Sequence, residues 1–297
     1  MPDDLRIGII GGTGLETRLF EGVEARDVEP VACETPFGPP SGPVITAVRG
    51  DTPLAILARH GDAHLLNPAA VPSRANVYAL KALGCTHVVA FGATGSLREH
   101  VAPGDLVVCD QLIDRTAGRD RTFYERAAVH VEFADPCCPV MRRWLLEAAS
   151  RLSGVTVHAA GTYVCMEGPS FSTRAEANMH RQWGADVVGM TALPEARLAR
   201  EAELAYALVA LATDYDCWRP KNPGSAEDSL LAQVLANLDR TIQASIGLLT
   251  AALDDVAVLR REPSPAHRAL DHAIWSDKGK IDPAEVERLR PLWGRLF

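Results

Sequence analysis

Two aspartates one residue apart, in Thr213-Asp214-Tyr215-Asp216-Cys217-Trp218, follow an apolar run over residues 205–212. A run of that length reads as a buried strand, so both carboxylates belong at a strand mouth beside a pocket. Such a pair can bind a divalent metal, act as a general acid or cap the next element, and a loop without chemistry is the plain alternative. Similar strand ends recur along the chain. The run 5–10 ends in Gly11-Gly12-Thr13-Gly14, a glycine turn whose backbone N–H groups, with the Thr13 hydroxyl, suit phosphate or another small anion. It is a poor dinucleotide fingerprint, because the spacing G-x-G-x-x-G counted from Gly12 ends on Thr17. Residues 54–58 precede Arg59-His60-Gly61, a cation and a second donor. Residues 87–91 precede Gly92-Ala93-Thr94-Gly95-Ser96, where a ligand can approach the backbone closely, and 186–189 precede Met190-Thr191. Thr13, Arg59, His60, Ala93 and Thr191 would together make a ring of donors, with no aspartate cluster to hold a metal.

Those ends must be positioned by a scaffold. Helical patterns over 73–83, 139–152, 172–183 and 194–202 alternate with the strands, which predicts an α/β fold on a largely parallel or mixed sheet. Ligands in such folds collect at the carboxyl ends of the strands, so one shared pocket is expected. From Ser225, spaced with Asp228 as a capping box, a long helix begins. Its stripe of Leu231, Val234, Leu235, Leu238, Ile242, Ile246 and Leu249 would pack on the sheet. A composition shift near Glu262-Pro263-Ser264-Pro265 divides the chain into a domain over 1–255 and a helical extension over 256–297. The extension holds a charged helix over 283–289 and two tryptophans, Trp275 and Trp293, that suggest docking.

With 297 residues, 47% of them hydrophobic, the chain can bury a large core. The net charge of −8 argues against a phosphate-backbone footprint and hence against nucleic acid as a partner. No apolar stretch approaches the roughly 20 residues of a membrane helix, and a charged N-terminus runs straight into a strand, which predicts a soluble cytoplasmic protein. Seven cysteines without CxxC spacing read as reduced, packed thiols.

Six runs carry a resemblance. They are Ile7-Gly8-Ile9-Ile10-Gly11-Gly12-Thr13-Gly14-Leu15, Leu57-Ala58-Arg59-His60-Gly61, Gly95-Ser96-Leu97-Arg98-Glu99, Glu167-Gly168-Pro169, Met190-Thr191-Ala192-Leu193-Pro194-Glu195 and Ala212-Thr213-Asp214-Tyr215-Asp216-Cys217-Trp218. In this order, over about residues 5–250, the chain resembles the 5′-methylthioadenosine phosphorylases of the trimeric purine nucleoside phosphorylase superfamily. The resemblance implies a single-domain nucleoside phosphorylase fold, with a central mixed sheet flanked by helices, and a homotrimer or a dimer of trimers. It implies no cofactor beyond inorganic phosphate as co-substrate. Thr13, Arg59, His60, the Gly92-Ala93 backbone and Thr191 would hold phosphate. Met190 would lie under the ribose and Phe171 near the base, with Met166, Leu230 and Leu231 as further substrate contacts. Asp214 would be the acid at purine N7, its pKa raised by an apolar setting and by Asp216, which would select the 6-amino group. His130 would reach the 5′ end from a neighbouring subunit.

Three departures bear on the substrate. Gly92 stands where the family commonly has threonine, so one phosphate hydroxyl is lost or relocated to Thr94. Ser170 stands where an arginine commonly precedes the phenylalanine, and an ungapped count puts Glu227 at a customary valine of the 5′ pocket. The expected substrate is therefore methylthioadenosine, with 5′-deoxyadenosine or a 5′-halogenated analogue as the alternative and a 6-oxopurine nucleoside disfavoured. A hydrolase on the same scaffold, a silent nucleoside-binding protein and a nicotinamide-dependent dehydrogenase are the competing classes.

Overall fold

The apolar runs become the centre of one mixed, eleven-stranded sheet in the computed structural model, which describes residues 5–12, 18, 23–219 and 230–297. In chain order the strands are β1 (Ile7–Gly11), β2 (Arg26–Val31), β3 (Val44–Arg49), β4 (Thr52–Ala58), β5 (His87–Ser96), β6 (Leu106–Val108), β7 (Gln111–Arg115), β8 (Val157–His158), β9 (Thr162–Met166), β10 (Val187–Gly189) and β11 (Ala205–Asp214). Strands β4, β1, β5 and β11 lie parallel at the centre. Every residue of β1 and β11 is buried, as expected of a parallel strand covered on both faces. The charged strand β2 takes the edge, pairing antiparallel with β3.

One strand differs from expectation in a way that builds the site. Gly92-Ala93-Thr94-Gly95-Ser96 does not turn away after residue 91 but continues as β5. Strand β11 accompanies it as far as Gly95, and β10 pairs antiparallel with Gly95 and Ser96. The glycines here permit close approach rather than a turn. A Cβ on Gly95 would lie 3.0 Å from Asp216 Cβ, 3.1 Å from Asp214 Oδ1 and 3.2 Å from Val188 Cγ1, so only a bare backbone passes beneath both carboxylates.

Helices α1 (Ser73–Ala82), α2 (Pro139–Ala149), α3 (Arg174–Gln182), α4 (Ala192–Glu201) and α5 (Leu230–Leu253) flank the sheet. A capping box of Thr173 and Glu176 starts α3. The box expected from Ser225 and Asp228 lies outside the described residues. Helix α5 packs on β11 and α2, burying Ile242, Ile246 and Leu249 in the same cluster as Trp144 and Leu145.

Residues 256–297 fold back onto the body. Leu270, Ala273, Ile281, Leu289, Leu292 and Trp293 join the cluster that contains Tyr78, Tyr124, Leu204 and Tyr206. Trp293 is fully buried, its ring 4.7 Å from that of Tyr124, while Arg295 donates to both oxygens of buried Glu203. One of the two tryptophans thus docks, and the other, Trp275, stays 74% exposed. All seven cysteines are free thiols. Among the described residues no single helix is long and apolar enough to cross a membrane.

Candidate active site

Strands β1, β4, β5, β10 and β11 deliver their carboxyl ends to one cleft of about 420 Å³. Arg59, His60, Gly92, Ala93, Thr191, Met166, Phe171, Met190, Asp214 and Asp216 all line it. Arg59 and Thr213, 154 positions apart, therefore share one wall system because the parallel strands end together. Thr13 lies outside the described residues, although its neighbour Gly12 lines the cleft. His130 is not in the cleft. It lies exposed, its ring centroid 4.8 Å from that of Trp275.

At one end, Arg59 departs from the picture of a free cation. Its side chain is 1% exposed, with Nε 2.8 Å from Glu195 Oε2 and Nη2 3.0 Å from Glu195 Oε1. Nη1 donates to Phe91 O at 2.8 Å. Glu195, held also by the Tyr206 hydroxyl at 2.9 Å, cancels the charge inside the fold. Arg59 thus offers an anion its remaining N–H directions more than net charge. His60 needs a similar correction. Its Nδ1 lies 2.7 Å from Leu66 O, and a carbonyl can only accept, so Nδ1 carries the proton. Burial lowers the pKa to about 4, leaving a neutral ring whose Nε2 is an acceptor. It is not the second donor expected.

At the other end, Asp214 is 4% exposed. Its Oδ2 accepts from the Thr213 hydroxyl and its Oδ1 from the Asp216 backbone N–H, both at 2.7 Å. Burial raises its pKa, and those two hydrogen bonds work against the rise. Dehydration, not the Asp216 charge, is therefore the cause. Asp216 sits at φ 50°. Burial, opposed by hydrogen bonds from the Ser172 side chain and the Cys217 backbone and reinforced by the charge of Asp214, pushes its pKa up to about 6. Its Oδ2 atom is buried with no hydrogen-bond partner among the described residues, a condition that native structures rarely tolerate without a ligand or water to relieve it.

Between the two ends runs an apolar wall of Val234, Leu235 and Leu238 from α5. The side chains of Leu230 and Leu231, and all of Glu227, lie outside the described residues. A family model for the phosphorylase superfamily matches residues 6–254. The chain belongs to the phosphorylase superfamily. It is 45% identical over 296 residues to the S-methyl-5′-thioadenosine phosphorylase of Thermosynechococcus vestitus, covering 98% of this chain and 99% of that one. A methylthioadenosine phosphorylase from an Antarctic soil metagenomic library superposes with a TM-score of 0.86 at 39% identity, over 97% of this chain and 98% of that one. A variant of the adenosine/methylthioadenosine phosphorylase of Schistosoma mansoni, solved with methylthioadenosine, gives 0.75 at 35% identity, over 97% and 99%.

In this phosphorylase the Thr94 hydroxyl does not replace the one absent at Gly92. It donates to Leu211 O at 3.1 Å within the sheet. Space does not dictate Gly92, since a Cβ there would meet only Thr191 Oγ1, at an ordinary 3.5 Å. Sequence reading missed Glu195, His64, Asn67, Ser172 and the α5 positions that face the cleft. For Glu195 a signal existed: an arginine at the end of a central strand will be buried, and a buried guanidinium demands a carboxylate.

Proposed function

We propose that this phosphorylase cleaves 5′-methylthioadenosine with inorganic phosphate, giving adenine and 5-methylthioribose 1-phosphate. The buried Asp216 Oδ2, without a partner among the described residues, carries the reading, because it is an acceptor that suits a donor such as the exocyclic amine of adenine. Arg59, the Gly92-Ala93 backbone and Thr191, with Thr13, hold phosphate at the opposite end, and the neutral His60 ring, an acceptor at Nε2, can take a hydrogen bond only from a protonated phosphate oxygen. Met190 floors the ribose, and Phe171 and Met166 flank the base. As the C1′–N9 bond breaks and a phosphate oxygen bonds C1′, positive charge grows on the ribose and negative charge on the purine. Phosphate stabilises the first and a proton from Asp214 to N7 the second. His130, beside exposed Trp275, closes the 5′ end from another copy in a homotrimer. The free thiols fit a cytoplasmic setting, and no cofactor enters the scheme.

Val234, Leu235 and Leu238 form the 5′ wall. This favours a thioether over a hydroxyl. Leu235, 62% exposed, would be covered by an apolar 5′ group. Leu235→Ala is expected to lower kcat/KM for methylthioadenosine about tenfold and to spare adenosine, since a covered leucine side chain is worth roughly 1.5–3 kcal/mol. The assay is adenine release from methylthioadenosine, 5′-deoxyadenosine and adenosine, with and without phosphate. Release independent of phosphate would make this a hydrolase, and equal losses on all three nucleosides would remove Leu235 from the 5′ wall.

Asp216 adds a pH signature. Below pH about 6 its carboxyl takes up a proton and becomes a donor, so a 6-oxo group is no longer refused. The ratio of adenosine to inosine kcat/KM should fall as pH drops from 7.5 to 5, and Asp216→Asn should hold it low and flat. A ratio that ignores both pH and the substitution would mean that Asp216 does not read the purine. Because a ratio is measured, ionisation of phosphate or of Asp214 cancels.

A further inference from the structure

Arg119 lines no part of the cleft, yet its guanidinium is spent almost wholly on the segments that carry cleft residues. Its side chain is 6% exposed. Nη1 donates to Met190 O and to Leu193 O, both at 2.8 Å, Nη2 to Glu167 O at 2.6 Å, and Nε to Glu167 Oε2 at 3.0 Å. These acceptors belong to the two lips of the cleft. One runs on from Met166 at the end of β9 to Phe171, and the other links β10 to α4 and carries Met190 and Thr191. The second lip leaves helical geometry at Thr191 (φ −128°, ψ −15°) and Leu193 (φ −123°, ψ 138°), so regular structure does not fix it. The lips also touch directly: a Cβ on Gly168, whose φ is 70°, would lie 2.5 Å from Met190 Sδ. That contact keeps them close but sets no height.

We propose that Arg119 is a positioning residue, which fixes the Met190-Thr191 lip against the Glu167-Pro169 lip and so sets the ribose floor and the phosphate donor beneath the scissile bond. It rests on the reading that Thr191 faces phosphate and Met190 the ribose. Arg119 is itself anchored. The neighbouring Ala117 N–H donates to Glu167 Oε2 at 2.8 Å. Further along, the Phe123 N–H and the Thr122 hydroxyl donate to Glu201 Oε2 of α4 at 2.8 and 3.1 Å. Asp120 and Glu125 pair with Arg74 of α1. The planar fork of arginine can serve three carbonyls and a carboxylate at once, which an ammonium point charge cannot. The carboxylates that read the purine are held separately, by Thr213 and the bare Gly95 backbone. Loss of Arg119 therefore costs phosphate binding more than purine binding, although the lip that carries Met166 and Phe171 is among those it holds.

The test compares Arg119→Met and Arg119→Lys with the wild type for kcat, phosphate KM, inhibition by adenine and thermal midpoint. For Arg119→Met, phosphate KM should rise about tenfold and kcat should fall ten- to a hundredfold, the usual consequence of misplacing a reacting group by about 1 Å. The adenine inhibition constant should stay within about threefold. Lysine should recover part of the loss, and if the methionine variant does not fold, the lysine variant carries the same comparison against wild type. Values of kcat and phosphate KM within about threefold of wild type would overturn the role, as would parallel loss of adenine and phosphate binding. Thr191→Val is the control on the reading beneath it. If that variant raises phosphate KM while Arg119→Met does not, only the positioning role falls. If Thr191→Val changes nothing, the phosphate assignment falls and the inference with it.

Discussion

Asp214→Asn lowers kcat on methylthioadenosine by roughly 10²- to 10⁴-fold, the usual worth of a positioned general acid, and leaves the thermal midpoint nearly unchanged. The fold tolerates the change because asparagine has the same shape. Its carbonyl still accepts from the Asp216 N–H, and its amide can donate to the Thr213 hydroxyl, which has a second acceptor, Thr94 O, at 3.3 Å. What is lost is a transferable proton. An amide N–H can hydrogen-bond N7 but cannot give its proton away, so the purine must leave as an anion. A nucleoside already methylated at N7 needs no such proton, and on that substrate the variant and the wild type should react at similar rates. Steady-state phosphorolysis of the two substrates settles the matter. A loss below about threefold on methylthioadenosine, or an equal loss on both, removes Asp214 from the role of acid.

How much of this was legible in the sequence follows from what each residue depends on. Residues tied to the ends of the parallel strands were readable, because such strands finish on one side of a sheet and bring Arg59 and Asp214 to one cleft whatever the loops do, whereas Ala93 lies within β5 and Thr191 follows β10, which runs antiparallel to β5. The path of β5 was not readable. Glycines at 92 and 95 look like a turn in one dimension, and only the two carboxylates lying over Gly95 show why the strand stays straight and bare. The state of each group was hidden for a related reason. That Arg59 is neutralised by Glu195, or that His60 gives its proton to Leu66 O, depends on partners 136 and 6 residues away. The 5′ wall depends on helical phase: the described residues put Val234, Leu235 and Leu238 on the cleft, while the ungapped count that placed Glu227 there assumed a fixed number of residues between Trp218 and α5. Arg119 had no sequence signature at all, since its acceptors are main-chain carbonyls.

Arg59→Ala is expected to raise the phosphate KM well over tenfold and to lower the thermal midpoint by several degrees, for two separable reasons. A charge-assisted contact to an anion is worth roughly 1.5–3 kcal/mol, which accounts for the first. The second arises because Glu195, 3% exposed, would lose its ion-pair partner in a dry site, and breaking one side of a buried pair costs about 3–5 kcal/mol. A single substitution therefore cannot say whether Arg59 binds phosphate or merely holds Glu195 in place. The combined Arg59→Met and Glu195→Gln change can. It removes the stranded carboxylate, leaves an acceptor for the Tyr206 hydroxyl that now donates to Glu195 Oε1 at 2.9 Å, and should return most of the lost thermal midpoint. Phosphate KM should stay high in the double variant, because no N–H donor has come back to the anion end of the cleft. Were phosphate affinity to recover together with stability, Arg59 would be a scaffold for Glu195, and the donors at that end would reduce to the backbone at Gly92-Ala93 and the hydroxyls of Thr13 and Thr191.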